Sequence, residues 1–239
     1  ITSSPITVAT EDSVYNYTLS ATDVDKGDTL TYSAKTLPSW LSLDAATGLV
    51  SGTPSNDDVG THTVSLSVTD SAKASDSQLF TITVENVNDA PVISSTPITT
   101  ATEDSLYNYT LSATDVDKGD TLTYSAKTLP SWLSLNTATG LVSGTPSNDD
   151  VGSHTVSLTV TDGEKETDSQ MFSITVENVN DAPVISSTPI TTATEDSVYN
   201  YILSATDVDK GDTLTYSAKT LPSWLSLNTA TGLVSGTPS

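Results

Sequence analysis

Polar and apolar residues alternate along Thr63-Val64-Ser65-Leu66-Ser67-Val68-Thr69 and again along Phe80-Thr81-Ile82-Thr83-Val84. A period of two puts every second side chain on the same face, so each run reads as a strand with one buried side. Tyr15, Tyr17 and Leu19 share one face of a further segment, and Leu30 with Tyr32 mark another. Trp40 to Leu43 form a short strand, Leu49-Val50 follow the Ala-Thr-Gly turn, and Pro5 to Val8 form a leading edge strand. No stretch carries a convincing 3.6-residue period. About seven short strands in roughly 100 residues, with Gly and Pro at the turns, predict an all-β Greek-key sandwich of the immunoglobulin type.

The pattern then repeats. Glu11-Asp12 returns as Glu103-Asp104 and as Glu195-Asp196, a shift of 92 residues each time, and positions 9–91 differ from 101–183 at only 11 of 83 sites. A unit of that length is too long for one coil of a solenoid, which takes roughly 20–45 residues, but it suits a small domain that folds by itself. The expected organisation is a linear array: repeat 1 at 1–91, repeat 2 at 92–183 and a truncated repeat 3 at 184–239. Because Ser239 falls inside a unit, the chain is expected to come from a longer array. The third copy is expected to leave Tyr216, Trp224 and Leu233 partly uncovered. The largest divergence between copies, Ser71-Ala72-Lys73-Ala74-Ser75 against Gly163-Glu164-Lys165-Glu166-Thr167, reads as an exposed hairpin loop where substitution costs little.

Charge narrows the choice of partners. The 239 residues carry 30 Asp plus Glu against 8 basic residues, all Lys, for a net charge of −22. Phosphate backbones and anionic lipid surfaces are bound by Lys/Arg clusters, so nucleic acid is not an expected partner. No apolar run approaches the roughly 20 residues that span a bilayer, so direct membrane insertion is not expected of this stretch. With no Cys, disulfides, thiolate zinc sites and cysteine nucleophiles are excluded.

The acids are clustered rather than spread. They gather at Glu11-Asp12, at Asp23-Val24-Asp25-Lys26-Gly27-Asp28, at Asn56-Asp57-Asp58, at Asp70 and at Glu85 to Asp89, all at strand ends or turns that a sandwich carries at its poles. Carboxylates brought together repel, and a hard cation with six to eight oxygen ligands resolves the repulsion, which makes calcium the natural candidate. An EF-hand does not fit: Gly27 takes loop position 5 and Ala34 falls where the bidentate Glu belongs.

Ala21 to Ser33, with its Asp-x-Asp before a strand, resembles the calcium segment of cadherins, and Asn86-Val87-Asn88-Asp89-Ala90-Pro91 resembles the cadherin linker. The linker is one residue shorter here, so either Asn86 or Glu85 takes the place of its first Asp. Leu37 to Pro54 is similar to the signature of dystroglycan-type cadherin-like and immunoglobulin-like modules of bacterial surface proteins. Asn56-Asp57-Asp58 stands where cadherins carry Asp-x-Glu.

The resemblance implies calcium between repeats. At the first junction it implies Glu11, Asn56, Asp58, Asn86, Asn88 through its carbonyl, and Asp89, joined by Asp115, Asp117 and Asp162 of the next repeat. At the second it implies Glu103, Asn148, Asp150, Asn178, Asn180, Asp181, Asp207 and Asp209. Asp23, Asp25 and Asp70 form a half-site at the N-terminal pole. The function so implied is that of an extracellular adhesion or stalk array, stiffened into a rod by calcium, in a secreted or membrane-anchored surface protein. Its partners would be neighbouring repeats, like molecules or surface glycans.

The alternative is an array of carbohydrate-binding modules, for which an exposed face on Trp40, Trp132 or Trp224 would speak. The setting of each Trp between Leu-Pro-Ser and Leu-Ser-Leu instead suggests a core anchor. His62 and His154, in phase with Val64 and Val156, read as structural. A repeated acid cluster without a cleft-forming insertion is no glycosidase pair, and no enzymatic activity is expected.

Overall fold

The computed structural model describes residues 1–25 and 27–239. The first copy of the repeat carries seven strands: β1 (Val8–Thr10), β2 (Tyr15–Thr18), β3 (Thr31–Thr36), β4 (Leu41–Leu43), β5 (Leu49–Gly52), β6 (Gly60–Thr69) and β7 (Ser75–Glu85). Next come β8 (Val92–Ile93), β9 (Thr100–Thr102), β10 (Tyr107–Thr110), β11 (Ala113–Thr114), β12 (Thr123–Thr128), β13 (Leu133–Leu135), β14 (Leu141–Gly144), β15 (Gly152–Thr161) and β16 (Thr167–Glu177). The remainder contains β17 (Val184–Ile185), β18 (Tyr199–Ile202), β19 (Ala205–Thr206), β20 (Leu225–Leu227) and β21 (Leu233–Gly236).

These elements fall into two compact units. Ile1–Ser94 with Ala113–Thr123 and Val160–Asp168 make the first, and Ser95–Ser112 with Tyr124–Thr159 and Ser169–Ser239 make the second.

In the first unit one sheet runs β1-β7-β6-β3 and the other β2-β5-β4, the strand order of an immunoglobulin-type sandwich. β6 and β7 form the long antiparallel hairpin, with Val64 opposite Phe80 and Leu66 opposite Gln78. The alternation read from the sequence becomes the core: Leu19, Val50, Val64, Leu66 and Ile82 are fully buried between the sheets. Each such side chain contributes roughly 1.5–3 kcal/mol. Two tyrosines reach the same core and keep their hydroxyls satisfied, Tyr15 donating to Ile6 O at 2.7 Å and Tyr17 to Gln78 Oε1 at 2.6 Å.

The edge strand begins later than expected, at Val8 rather than Pro5. Pro5 has no N–H to offer a ladder, and β1 pairs parallel to β7 only from Val8 opposite Thr83.

The second unit repeats the arrangement with sheets β12-β15-β16-β9 and β10-β14-β13. Leu111, Val142, Val156, Leu158 and Ile174 occupy its centre. Residues 184–239 add the three-stranded sheet β18-β21-β20 and the pair β17-β19. Tyr216, Trp224 and Leu233 are half-buried there, but Tyr32 and Trp40 are also half-buried in the complete first copy, so these residues do not register the difference. Tyr199, Tyr201, Leu203, Leu225 and Val234 do: each is half-buried, whereas Tyr15, Tyr17, Leu19, Leu41 and Val50 are buried. They form the inner face of a single sheet, which in the first copy packs against the four-stranded one.

Candidate metal centre

The first linker and the acids around it all belong to the first unit. β11 pairs antiparallel with β8, setting Thr114 against Val92 and delivering the chain straight into Asp115. The turn that follows is tied by its own acids: Asp117 N–H donates to Asp115 Oδ1 at 2.9 Å, and Asp120 N–H to Asp117 O at 3.3 Å. Gly119, at φ +108, supplies the left-handed step that closes the turn. The result brings carboxylate oxygens of Asp115, Asp117 and Asp120 within 4.8 Å of one another, and Asp120 is also grouped in this way with Asp162 and Glu164.

The linker is threaded through these acids. Val87 N–H donates to Glu11 Oε2 at 3.2 Å, Asp89 N–H to Asp117 Oδ2 at 2.6 Å, and Asn88 Nδ2 to Asp162 Oδ2 at 2.9 Å. Asn56 Nδ2 reaches Asp89 Oδ2 at 2.8 Å, so Asn56 holds a linker acid. Asn56, Asp57, Asn86, Asp115, Asp117 and Asp120 line a shared open cleft. Glu11 is 1% exposed, and burial pushes its carboxyl up, partly offset by the Val87 amide and reinforced by Asp12, Asp89 and Asp117. Burial also pushes Asp162 up, but hydrogen bonds from Asn88 and the amides of residues 164–166 outweigh it and hold the carboxyl below its ordinary value.

Asp58 stands apart. Its Oδ2 accepts from Ser55 N at 3.0 Å and Ser55 Oγ at 2.8 Å, closing a capping box on the 3-10 turn Asn56–Asp58. The Ser55 amide lowers its pKa. Asp150 does the same with Ser147.

The second unit reproduces the arrangement. Val179 N–H donates to Glu103 Oε2 at 3.1 Å, Asp181 N–H to Asp209 Oδ2 at 2.7 Å, and Asn148 Nδ2 to Asp181 Oδ2 at 2.8 Å. Asn180 Nδ2 turns back to Asp181 O at 2.9 Å, and Asn178 is exposed. Asp207, Asp209 and Asp212 form the group of three. At the N-terminal pole the group is Asp23, Asp28 and Asp70, and Asp25 is not in it.

The third acid of each turn (Asp28, Asp120, Asp212) and Glu164 and Asp57 were not among the expected ligands. For the third acid the signal was in the sequence: Asp-x-Asp-x-x-Asp recurs intact in all three copies.

The donor set suits a hard cation. Among the described residues Asp115 Oδ2, Asp117 Oδ1, Asp120 Oδ2 and Asp209 Oδ1 are buried oxygens without a hydrogen-bond partner, and no lysine forms an ion pair with them. Buried charge of one sign is costly unless it is paired or coordinated.

The tryptophans are edge residues of the core. Trp40 meets Tyr15 edge-on at 5.8 Å and His62 at 6.1 Å, and His62 Nε2 is bonded to Asp58 O.

Comparison with known proteins agrees with this architecture. Human CDH23 EC21-23 superimposes with a TM-score of 0.63 over 95% of this chain and 91% of its own, at 21% identity. Mouse cadherin-23 EC22-24 gives 0.61 over 97% and 84%, also at 21% identity. In sequence, the chain is 33% identical over 168 residues to the serine-rich adhesin for platelets of Staphylococcus aureus (strain USA300). That match takes in 69% of this chain and 7% of the adhesin, so the chain spans only a small part of its relative's length. The family model described as "Putative Ig domain" matches residues 1–85, 90–177 and 182–239, and the chain belongs to that family.

Proposed function

We propose that the chain is part of an extracellular adhesion or stalk array in which calcium at the repeat junctions stiffens the connection between sandwiches. Its repeats run 1–91, 92–183 and 184–239. The observation that carries this reading is the buried, donorless carboxylate oxygen on Asp117, repeated on Asp209. The 33% identity to a staphylococcal adhesin for platelets supports a cell-surface setting.

At the first junction Asp115, Asp117, Glu11 and Asp89 are the charged ligands, with Asn86, the Asn88 carbonyl and Asp162 beside them. At the second, Asp207, Asp209, Glu103 and Asp181 take the same parts. Calcium supplies charge neutralisation and a fixed set of oxygen contacts there. The protein supplies the rest: a linker whose amides already point at Glu11 and Asp117, so that little chain entropy remains to be lost when the acids are drawn together.

Small-angle scattering of the 239-residue chain with calcium and with a chelator tests this. A shorter maximum dimension in chelator is expected, and identical profiles would remove the stiffening role. Carbohydrate recognition has less support, because each Trp turns an edge contact toward core residues instead of standing free.

A further inference from the structure

The loop that diverges most between copies lies against the acid cluster. In the first copy Ser71 Oγ donates to Asp28 Oδ1 at 2.8 Å, satisfying the third acid of that turn. In the second copy Gly163 replaces Ser71. A Cβ built there would lie 3.9 Å from Asp120 Oδ2, which is ordinary contact, so there is room for a serine beside Asp120 and the sequence does not use it. Asp120 Oδ2 is left buried without a partner. The next residue changes from Ala72 to Glu164, placing a further carboxylate within 4.8 Å of Asp120 and Asp162. Two neighbouring substitutions thus remove a hydroxyl donor and add a negative charge at the same spot.

Asp117, 5% exposed, keeps a donorless Oδ1 and stands in one group with Asp115 and Asp120. A loop of freely tolerated substitutions has no reason to gather charge where four acids already stand.

We propose that Asp120 and Glu164 are cation ligands, and that the Gly163-Glu164 pair extends the Asp115–Asp117 site of the first junction so that it holds a hard divalent cation more tightly than the N-terminal pole with Ser71-Ala72. The inference rests on the junction reading above. Ligand charge sets the affinity of oxygen-only sites, so removing one carboxylate at this range weakens binding by about tenfold or more.

The test is calorimetric titration of the 239-residue chain with calcium, in an Asp209→Asn background that silences the second junction. Gly163→Ser with Glu164→Ala, a pair the fold already carries at 71–72, is expected to weaken the remaining tight site about tenfold. The reciprocal change, Ser71→Gly with Ala72→Glu, is expected to create measurable uptake at the N-terminal pole. Superimposable isotherms for both loop variants, while Asp117→Asn loses binding, would overturn the role of Asp120 and Glu164 and leave the junction standing. Absence of calcium uptake in the unmodified chain would overturn both.

Discussion

The amide of Asp89 donates to the carboxylate of Asp117 at 2.6 Å, and the equivalent Asp181 and Asp209 meet at 2.7 Å. A linker backbone group and a turn acid are thereby held together in each unit. The same carboxylates keep their other oxygen, Oδ1, buried and donorless. One oxygen is thus taken up by the backbone, and the second meets no donor.

Asp117→Asn separates these two roles. The side-chain carbonyl still accepts from Asp89, while one negative charge leaves a cluster of like charges. In chelator the variant is expected to melt no lower than the parent, and in calcium it is expected to lose most of its ligand-induced stabilisation. That stabilisation is about 2.7 kcal/mol when free calcium stands at a hundred times the dissociation constant. Paired thermal melts with and without calcium measure the gap, and an undiminished gap contradicts the assignment.

Glu11 sets a pH dependence in the metal-free chain. Burial raises its carboxyl above the ordinary value of 4.5, so the folded form holds its proton longer than the unfolded form does. Its contribution to stability is present below the unfolded value and is lost as pH climbs through the raised folded value. Glu11→Gln keeps an acceptor for Val87 and removes the charge. We expect it to flatten this decline and to raise the melting temperature in chelator at pH 7. Melting curves from pH 4 to 8 decide it.

Asp58 should behave as a cap. Ser55→Ala removes the hydroxyl that shares Asp58 Oδ2 with the Ser55 amide and is expected to cost about 1 kcal/mol equally in calcium and in chelator. Because the Ser55 amide lowers the Asp58 carboxyl, the folded form keeps Asp58 ionised at a lower pH than the unfolded form does. This contribution therefore stands above the ordinary value of 3.8 and fades as pH falls through the lowered one. A loss seen only in calcium would make Asp58 a ligand. Urea unfolding in both buffers distinguishes the two.

Gly52 tests the close approach beneath the tryptophan. A Cβ on Gly52 would overlap the Trp40 carbonyl, and Gly144 and Gly236 stand identically against Trp132 and Trp224. Gly52→Ala is expected to lower stability by about 2–3 kcal/mol, the scale of an overpacked core, with calcium affinity at the second junction unchanged. Denaturant unfolding gives the first quantity and titration the second.

The strands and the repeat were legible in the amino-acid sequence because a half-buried strand must alternate, and because Gly and Pro mark its ends whatever it packs against. Val64, Leu66, Ile82 and Val84 needed no structure to be recognised as core. That the acids gather at strand ends was equally open to reading. Which acids converge was a tertiary matter. Spacing alone makes Asp25 and Asp117 equivalent, yet Asp117 sits in a group of three, where it accepts the amide of the linker residue Asp89, and Asp25 does not sit in one. Asp58 shares the sequence neighbourhood of Asn56, but a 3-10 turn directs its carboxylate back to Ser55. Glu164 looked like a substitution in an open loop until the fold laid that loop against Asp120. A carboxylate's identity is set by the chain, whereas its neighbours are set by turns and hairpins that come together only when the sandwiches form.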